Sequence, residues 1–133
     1  MYKIDQKPYG YHLLFSGYIK TEEMKAWVND AKICLKTPPA KEFGVFVDMR
    51  DLKPLDQETT KIMVEGQALF KAKGMARSVV ILNSTIVTLQ FRRLAKESGI
   101  YEWERYLDAS AVNDFEKIGE DWIVRSIDPD KKQ

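Results

Sequence analysis

Carboxylates and threonines follow a short apolar stretch in the middle of the chain. The segment VFVDMRDLKPLDQETT, residues 45–60, contains Asp51, Asp56 and Glu58, with Thr59 and Thr60 directly after them. Paired carboxylates can perform acid–base chemistry, and the start of a helix can bind phosphate through its free N–H groups. Here the acidic side chains already occupy the position that an anion would take. We therefore expect a capped helix at this junction and no phosphate ligand.

Other reactive side chains are sparse and lie far from this acidic loop in the sequence. His12 is the single histidine and falls within a predicted strand, where a structural role is the expected one. Cys34 is the single cysteine, so the chain can form neither an internal disulfide nor a cysteine-based metal site. Glycine-rich phosphate loops and a G-x-S-x-G motif are absent from the sequence. The residues predict a protein that is not an enzyme and that has no cofactor and no metal.

Composition excludes several further classes of function. Lys and Arg number 21 against 20 Asp and Glu, so no strong field favours nucleic acid or anionic lipid. Apolar runs fall well short of the roughly 20 residues that cross a membrane. The N-terminal segment MYKIDQKPYG has no apolar signal core. We therefore expect a cytoplasmic protein without a membrane span.

Aromatic side chains cluster in GIYEWERYL, near the last predicted strand. Strand alternation would place Tyr101 and Trp103 on one face and Tyr106 on the other. Packing at a sheet edge explains such a cluster, and so does an anchor for a partner or for a second copy of the chain. Base stacking is disfavoured because Glu102 and Glu104 would repel a nucleic-acid backbone. Together with a free strand edge at the N-terminus, the cluster suggests a homodimer.

Periodicity and turn signals predict the order β-β-α-β-α-β-α-β-α for one α/β domain covering residues 1–133. Strands are predicted at 2–6, 11–19, 43–49, 78–82 and 104–107. Helices are predicted to follow N-caps at Thr21, at Asp56 and at Asn83 or Ser84, and the last helix is predicted to start at Ser110. The nearly uninterrupted apolar strands FGVFVDM and SVVIL are typical of a parallel sheet that is covered on both faces. We expect one open, mostly parallel sheet of about five strands with helices packed against it. Residues 127–133 are expected to fray.

The order of elements and the stretch VFVDMRDLKPLDQETTKIMVEGQALFKAKGMARSVVIL resemble the STAS domain of anti-sigma-factor antagonists, the SpoIIAA-like family. In that family the helix after the central strand opens with Asp-Ser-Ser-Gly. This chain instead reads Asp56, Gln57, Glu58 and Thr59, so the position of the phosphorylated serine falls on Glu58. The resemblance implies a non-enzymatic regulatory module of a bacterial cytoplasm that binds an unidentified protein partner through these four residues. It also implies that the phosphorylation switch of the family is missing.

A second class of function remains open because the same family resembles CRAL-TRIO lipid-binding domains in outline. An apolar small molecule would then occupy space between the helices and the sheet. Met24, Met63, Met75 and Phe91 are the side chains that would line such a cavity. The same side chains can simply fill the core.

Overall fold

Five strands form one mixed sheet whose spatial order is the order of the chain. The computed structural model describes residues 1–131. The elements are β1 (Tyr2–Lys7), β2 (Gly10–Phe15), α1 (Thr21–Cys34), β3 (Phe43–Asp48), α2 (Gln57–Ala72), β4 (Met75–Leu82), α3 (Thr85–Ser98), β5 (Glu104–Asp108) and α4 (Phe115–Arg125). The β1 strand runs antiparallel to β2, and the other neighbouring strands are parallel. The predicted α/β class, element order and mostly parallel five-stranded sheet are confirmed.

Helices cover the two faces of the sheet unequally. Because consecutive parallel strands are neighbours and their crossovers are right-handed, α1, α2 and α3 lie on the same face. Val45 and Val47 of β3 belong to the large apolar core on this face. Phe46, which points the other way, belongs to a smaller core with Trp122 and Ile123 of α4. The prediction that the central strands are buried on both faces is confirmed.

Close helix packing fixes the position of α2 on the first face. A Cβ atom at Gly66 would lie 2.0 Å from the ring of Trp27, so glycine is required for α1 and α2 to approach this closely. The Trp27 ring in turn stacks on Phe70, with the ring centroids 5.9 Å apart. This contact holds α1 and α2 side by side, which brings their N-termini together at one edge of the sheet.

Two element boundaries differ from the prediction because local hydrogen bonds and backbone geometry compete with the apolar pattern. The β2 strand ends at Phe15 and not at residue 19, since Gly17 adopts a left-handed conformation with φ of 72°. The α4 helix begins at Phe115 and not at Ser110. The hydroxyl and the N–H of Ser110 donate instead to the carboxylate of Asp108, at 2.6 and 2.9 Å, and form a turn.

Predictions at two further element starts are also corrected. The N-cap of α1 is Lys20, and Thr21 is already helical. Thr21 is thus free to use its hydroxyl for a contact with α2, which is described below. The β4 strand starts at Met75, three residues before the predicted start at Ser78, because the pairing of β4 with β3 already begins there.

The aromatic cluster does not follow strand alternation. Tyr101 and Trp103 lie in a short 3₁₀ helix (Tyr101–Trp103) that precedes β5, so the prediction of a shared strand face is wrong. Trp103 is exposed, whereas the rings of Tyr101 and Tyr106 lie 6.5 Å apart. In the tail that was expected to fray, Asp128 forms an ion pair with Arg105 at 2.9 Å. Lys132 and Gln133 of that tail lie outside the described residues.

Candidate docking surface at the carboxyl edge of the sheet

The N-terminus of α2 is capped by a side chain of the acidic loop. Asp56 has an extended backbone, and its carboxylate accepts a hydrogen bond of 2.8 Å from the N–H of Thr59. This hydrogen bond, together with weaker ones from the Thr59 and Tyr18 hydroxyls, lowers the pKa of the Asp56 carboxyl below its usual value. An Asp at the N-cap satisfies one of the free N–H groups of the first turn. The predicted cap at Asp56 is confirmed, as is the cap of α3 at Ser84.

Neighbouring segments on both sides hold this loop in place. On one side, the N–H of Gly17 donates to the carbonyl oxygen of Asp51 at 2.8 Å, and the N–H of Lys53 donates to Gly17 at 3.0 Å. On the other side, the side-chain amide of Gln90 on α3 accepts from the N–H of Leu55 at 2.9 Å and donates to its carbonyl oxygen at 2.7 Å. The start of α2 is therefore presented on a fixed loop. No local pattern in the sequence indicates this contact between Gln90 and Leu55.

Three of the four predicted partner-binding residues reach the surface. Asp56, Gln57 and Glu58 are exposed. Thr59 is fully buried, and its hydroxyl lies 2.9 Å from the hydroxyl of Thr21 on α1. Thr59 therefore joins the two helices beneath the surface. The adjacent Thr60 hydroxyl donates to the carbonyl oxygen of Gln57 at 2.6 Å and is also nearly buried.

Exposed apolar side chains flank these polar residues. Tyr18 is 56% exposed, and its hydroxyl lies 3.4 Å from the Asp56 carboxylate. Ile86 is 67% exposed and lies one helical turn before Gln90, on the side of α3 that meets the acidic loop. Large exposed apolar groups beside polar ones are typical of protein-binding surfaces.

An ion pair between Arg50 and Asp48 also lies at this edge of the sheet. The Arg50 guanidinium makes two hydrogen bonds to the Asp48 carboxylate, at 3.0 and 2.9 Å, and lies 4.9 Å from the centroid of the Phe115 ring on α4. Burial alone would raise the pKa of Asp48, but the hydrogen bonds from Arg50 lower it overall. The carboxylate is thus held ionised and saturated by its partner. The Asp48–Arg50 pair connects the loop to Phe115 of α4. Asp48 is therefore a poor candidate for acid–base chemistry.

A buried carboxyl group, which the sequence reasoning missed, lies at the start of β5. Glu104 is only 5% exposed and accepts hydrogen bonds from the hydroxyls of Ser78, at 2.9 Å, and Tyr106, at 2.6 Å. Burial raises the pKa of Glu104 to about 7, against the opposing effect of these hydrogen bonds and of Arg92. The expectation that Glu104 repels a nucleic-acid backbone at the surface is therefore wrong, while Glu102 is exposed. Glu104 and Tyr106 are two residues apart in a predicted strand, so their side chains lie on the same face of the sheet. That spacing was the one signal in the sequence for a contact between them.

Space beside Glu104 is too small for a substrate or a lipid. The cavity between the sheet and the first three helices has a volume of about 30 Å³ and is lined by Met63, Met75 and Phe91 together with Glu104. That volume holds roughly two water molecules, whereas ligand pockets span about 300–1,000 Å³. Met24, Met63 and Phe91 are buried and fill the core. The alternative of an apolar-ligand carrier is not supported by the packing of residues 1–131.

Among residues 1–131, His, Cys, Asp and Glu side chains form no group of three that could hold a metal ion. In the same range, none of the helices combines the length and the apolar character needed to cross a membrane.

Comparison with known proteins identifies the fold. No family model matches the chain, and no curated protein matches it in sequence. Among solved structures, the anti-sigma factor antagonist SpoIIAA in its unphosphorylated form matches with a TM-score of 0.62. The match covers 96% of this chain and 99% of that one, at 13% sequence identity. The chain has a STAS-like fold. The resemblance first noted from the order of elements is thus confirmed at the level of the fold.

Proposed function

We propose that this protein is a non-enzymatic STAS-like regulatory module of a bacterial cytoplasm that binds a protein partner at the start of α2. The binding surface, called the α2 surface below, consists of Tyr18, Asp56, Gln57, Glu58 and Ile86. The observation that carries the proposal is the combination of three exposed polar side chains at the start of α2 with two exposed apolar ones from neighbouring segments, around a loop that is fixed from both sides. A preformed surface binds with less loss of conformational entropy than a mobile one.

The solved structure with the same fold supports a regulatory role. SpoIIAA is an antagonist of an anti-sigma factor, and its structure was determined in the unphosphorylated form. Activity of this kind requires contact with another protein and not the conversion of a substrate. The fold likeness therefore favours a protein-binding module over an enzyme, and the small internal cavity agrees with that choice.

The serine phosphorylation of the family has no counterpart at the proposed surface. Glu58 carries one negative charge at the position where the family carries its serine, whereas a phosphoserine would carry about −1.5 to −2. Thr59, the next residue of the helix, is fully buried and its hydroxyl lies 2.9 Å from that of Thr21, so a kinase could reach it only after local unfolding of α2. We therefore propose that partner binding at the α2 surface is constitutive.

A charge reversal at Glu58 tests the proposal. Glu58→Lys should leave the fold intact, because the Glu58 side chain is exposed and makes no hydrogen bond or ion pair within residues 1–131. It should nevertheless weaken partner binding, since charges at an interface rim govern partner choice and association rate. The matched control is Glu65→Lys, an equally exposed glutamate seven residues, and so about 10 Å, further along the same helix.

The measurement pairs thermal melts with quantitative capture of proteins from a lysate of the native host. The expected result is that the parent and Glu65→Lys capture the same proteins, while Glu58→Lys loses them without a change in melting temperature. Equal capture by Glu58→Lys and the parent would show that the α2 surface is not the binding site.

A further inference from the structure

The second face of the sheet is only half covered by α4. A Cβ atom at Gly119 would lie 2.8 Å from the Phe46 ring, so α4 packs directly on β3. Its main contacts are with β3 and β4, which leaves the second face of β2 without a helix above it. On that open part, the half-exposed ring of His12 stacks on the ring of Phe46, with centroids 5.1 Å apart and planes 13° apart. The side of α4 and this aromatic pair together form a groove.

Two carboxylates of α4 line this groove. Glu116 and Glu120 are exposed, lie one helical turn apart, and take part in no ion pair among residues 1–131. Asp121, the next residue, is in contrast paired with both Lys117 and Arg125. Like charges four residues apart destabilise a helix slightly. Glu116 and Glu120 are therefore available to a positively charged group that enters the groove.

Tyr9 also lines the groove, and its pKa is affected by the charges of Glu116 and Glu120. Burial raises the pKa of Tyr9 to about 12, with further contributions from Glu120 and Glu116. Tyr9 lines the groove together with the two carboxylates. With a volume of about 610 Å³, the groove is large enough for one long side chain and its neighbours.

We propose that this groove binds an arginine side chain presented by a segment of a partner protein. The planar guanidinium would lie against the half-exposed ring of His12, which is itself backed by Phe46, while it donates hydrogen bonds to Glu116 and Glu120. Arginine fits better than lysine because its guanidinium stacks on aromatic rings and bonds to carboxylates in a fork. Val124, which is 51% exposed at one end of the groove, provides a contact for an apolar neighbour of that arginine.

Lys7 also lines the groove, and its charge leads to a separate prediction. Its ammonium group is a like charge for the incoming guanidinium, and within residues 1–131 it forms no ion pair that would neutralise it. Lys7 should therefore weaken binding of the arginine. Its removal should increase the affinity a few-fold.

The test is an NMR titration of the ¹⁵N-labelled full chain with the capped peptide acetyl-Leu-Arg-Leu-amide at low salt. Saturable shift changes are expected at Tyr9, His12, Phe46 and the first turns of α4. The matched peptides carry citrulline, which is the neutral analogue of arginine, or lysine. Citrulline should abolish binding, and lysine should bind several-fold more weakly than arginine.

Variants of the chain complete the test. The double variant Glu116→Gln with Glu120→Gln should bind the arginine peptide at least tenfold more weakly, with an unchanged melting temperature, because both side chains are exposed. Lys7→Ala should bind more tightly, and Glu97→Gln on α3 should behave as the parent. The proposal is overturned if the shift changes lie outside the groove or are absent. It is also overturned if citrulline or lysine binds as well as arginine, or if the double variant keeps its affinity.

Discussion

Replacement of Glu104 by Gln should change how the stability of the protein depends on pH. The carboxyl group is buried at the start of β5, between the hydroxyls of Ser78 and Tyr106. Burial raises its pKa from an ordinary value of 4.5 to about 7. Between these two values the native state retains a proton that the unfolded chain has lost. The free energy of unfolding therefore falls as pH rises through this window, and the loss is complete above pH 7.

The size of the effect follows from the pKa shift. One pKa unit corresponds to about 1.4 kcal/mol, so a rise from 4.5 to about 7 makes the parent less stable above pH 7, by about 3 kcal/mol, than it is below pH 4.5. Gln is neutral at every pH and has nearly the same shape, so Glu104→Gln removes this loss. For a domain of this size, a difference of about 3 kcal/mol corresponds to roughly 10 °C in melting temperature.

Urea unfolding of the parent and of Glu104→Gln, followed by tryptophan fluorescence at several values between pH 4.5 and 8, measures this difference. The gap in unfolding free energy should grow in favour of the variant as pH rises, because titrations of all other groups cancel in the comparison. Glu102→Gln is the matched control for the loss of a carboxylate, since Glu102 is exposed two residues earlier. A constant gap for Glu104→Gln would show that the buried carboxyl titrates like an exposed one and would refute the reasoning.

Two further predictions concern the cap of α2 and self-association. Asp56→Ala should lower the melting temperature by several degrees, because the N–H of Thr59 loses its acceptor. Asp51→Ala, in the same exposed loop but without a capping bond, should leave the melting temperature nearly unchanged, and an equal loss for both would contradict the capping role. The homodimer stays a prediction, which the exposed side chain of Trp103 and the unpaired edge of β1 support. Light scattering at high micromolar concentration should give a dimer mass for the parent and a lower mass for Trp103→Ala; a monomer mass for the parent would contradict it.

Much of the fold follows from signals that lie within a few residues of one another. The apolar runs around Val45 and Val80 predict buried parallel strands, because a strand covered on both faces has no polar alternation. Asp56 and Ser84 predict helix starts, because a cap depends only on the side chain and the N–H groups of the next turn. Such local rules are sufficient for the order of elements and for most of their boundaries.

The predicted boundaries of helices and strands were wrong where a second local interaction competed with the one that the residue types suggest. Ser110 is a good N-cap by residue type, but the nearby Asp108 captures its hydroxyl and N–H in a turn, so α4 starts later. Tyr101 and Trp103 have strand propensity, but they form a turn of 3₁₀ helix after Gly99, which ends α3 in a left-handed conformation. Residue types alone did not decide between these alternatives.

The fold class, the cap at Asp56 and the exposure of Gln57 and Glu58 can be predicted from the amino-acid sequence, because they depend on periodicity and on the first turn of one helix. The burial of Thr59 against α1 cannot, since it depends on where a second helix packs. Only the tertiary structure decided that Glu104 is desolvated and that Glu116 faces the rings of His12 and Phe46. Burial and the meeting of distant charges depend on elements far apart in the chain, and no local pattern records which of them will come into contact.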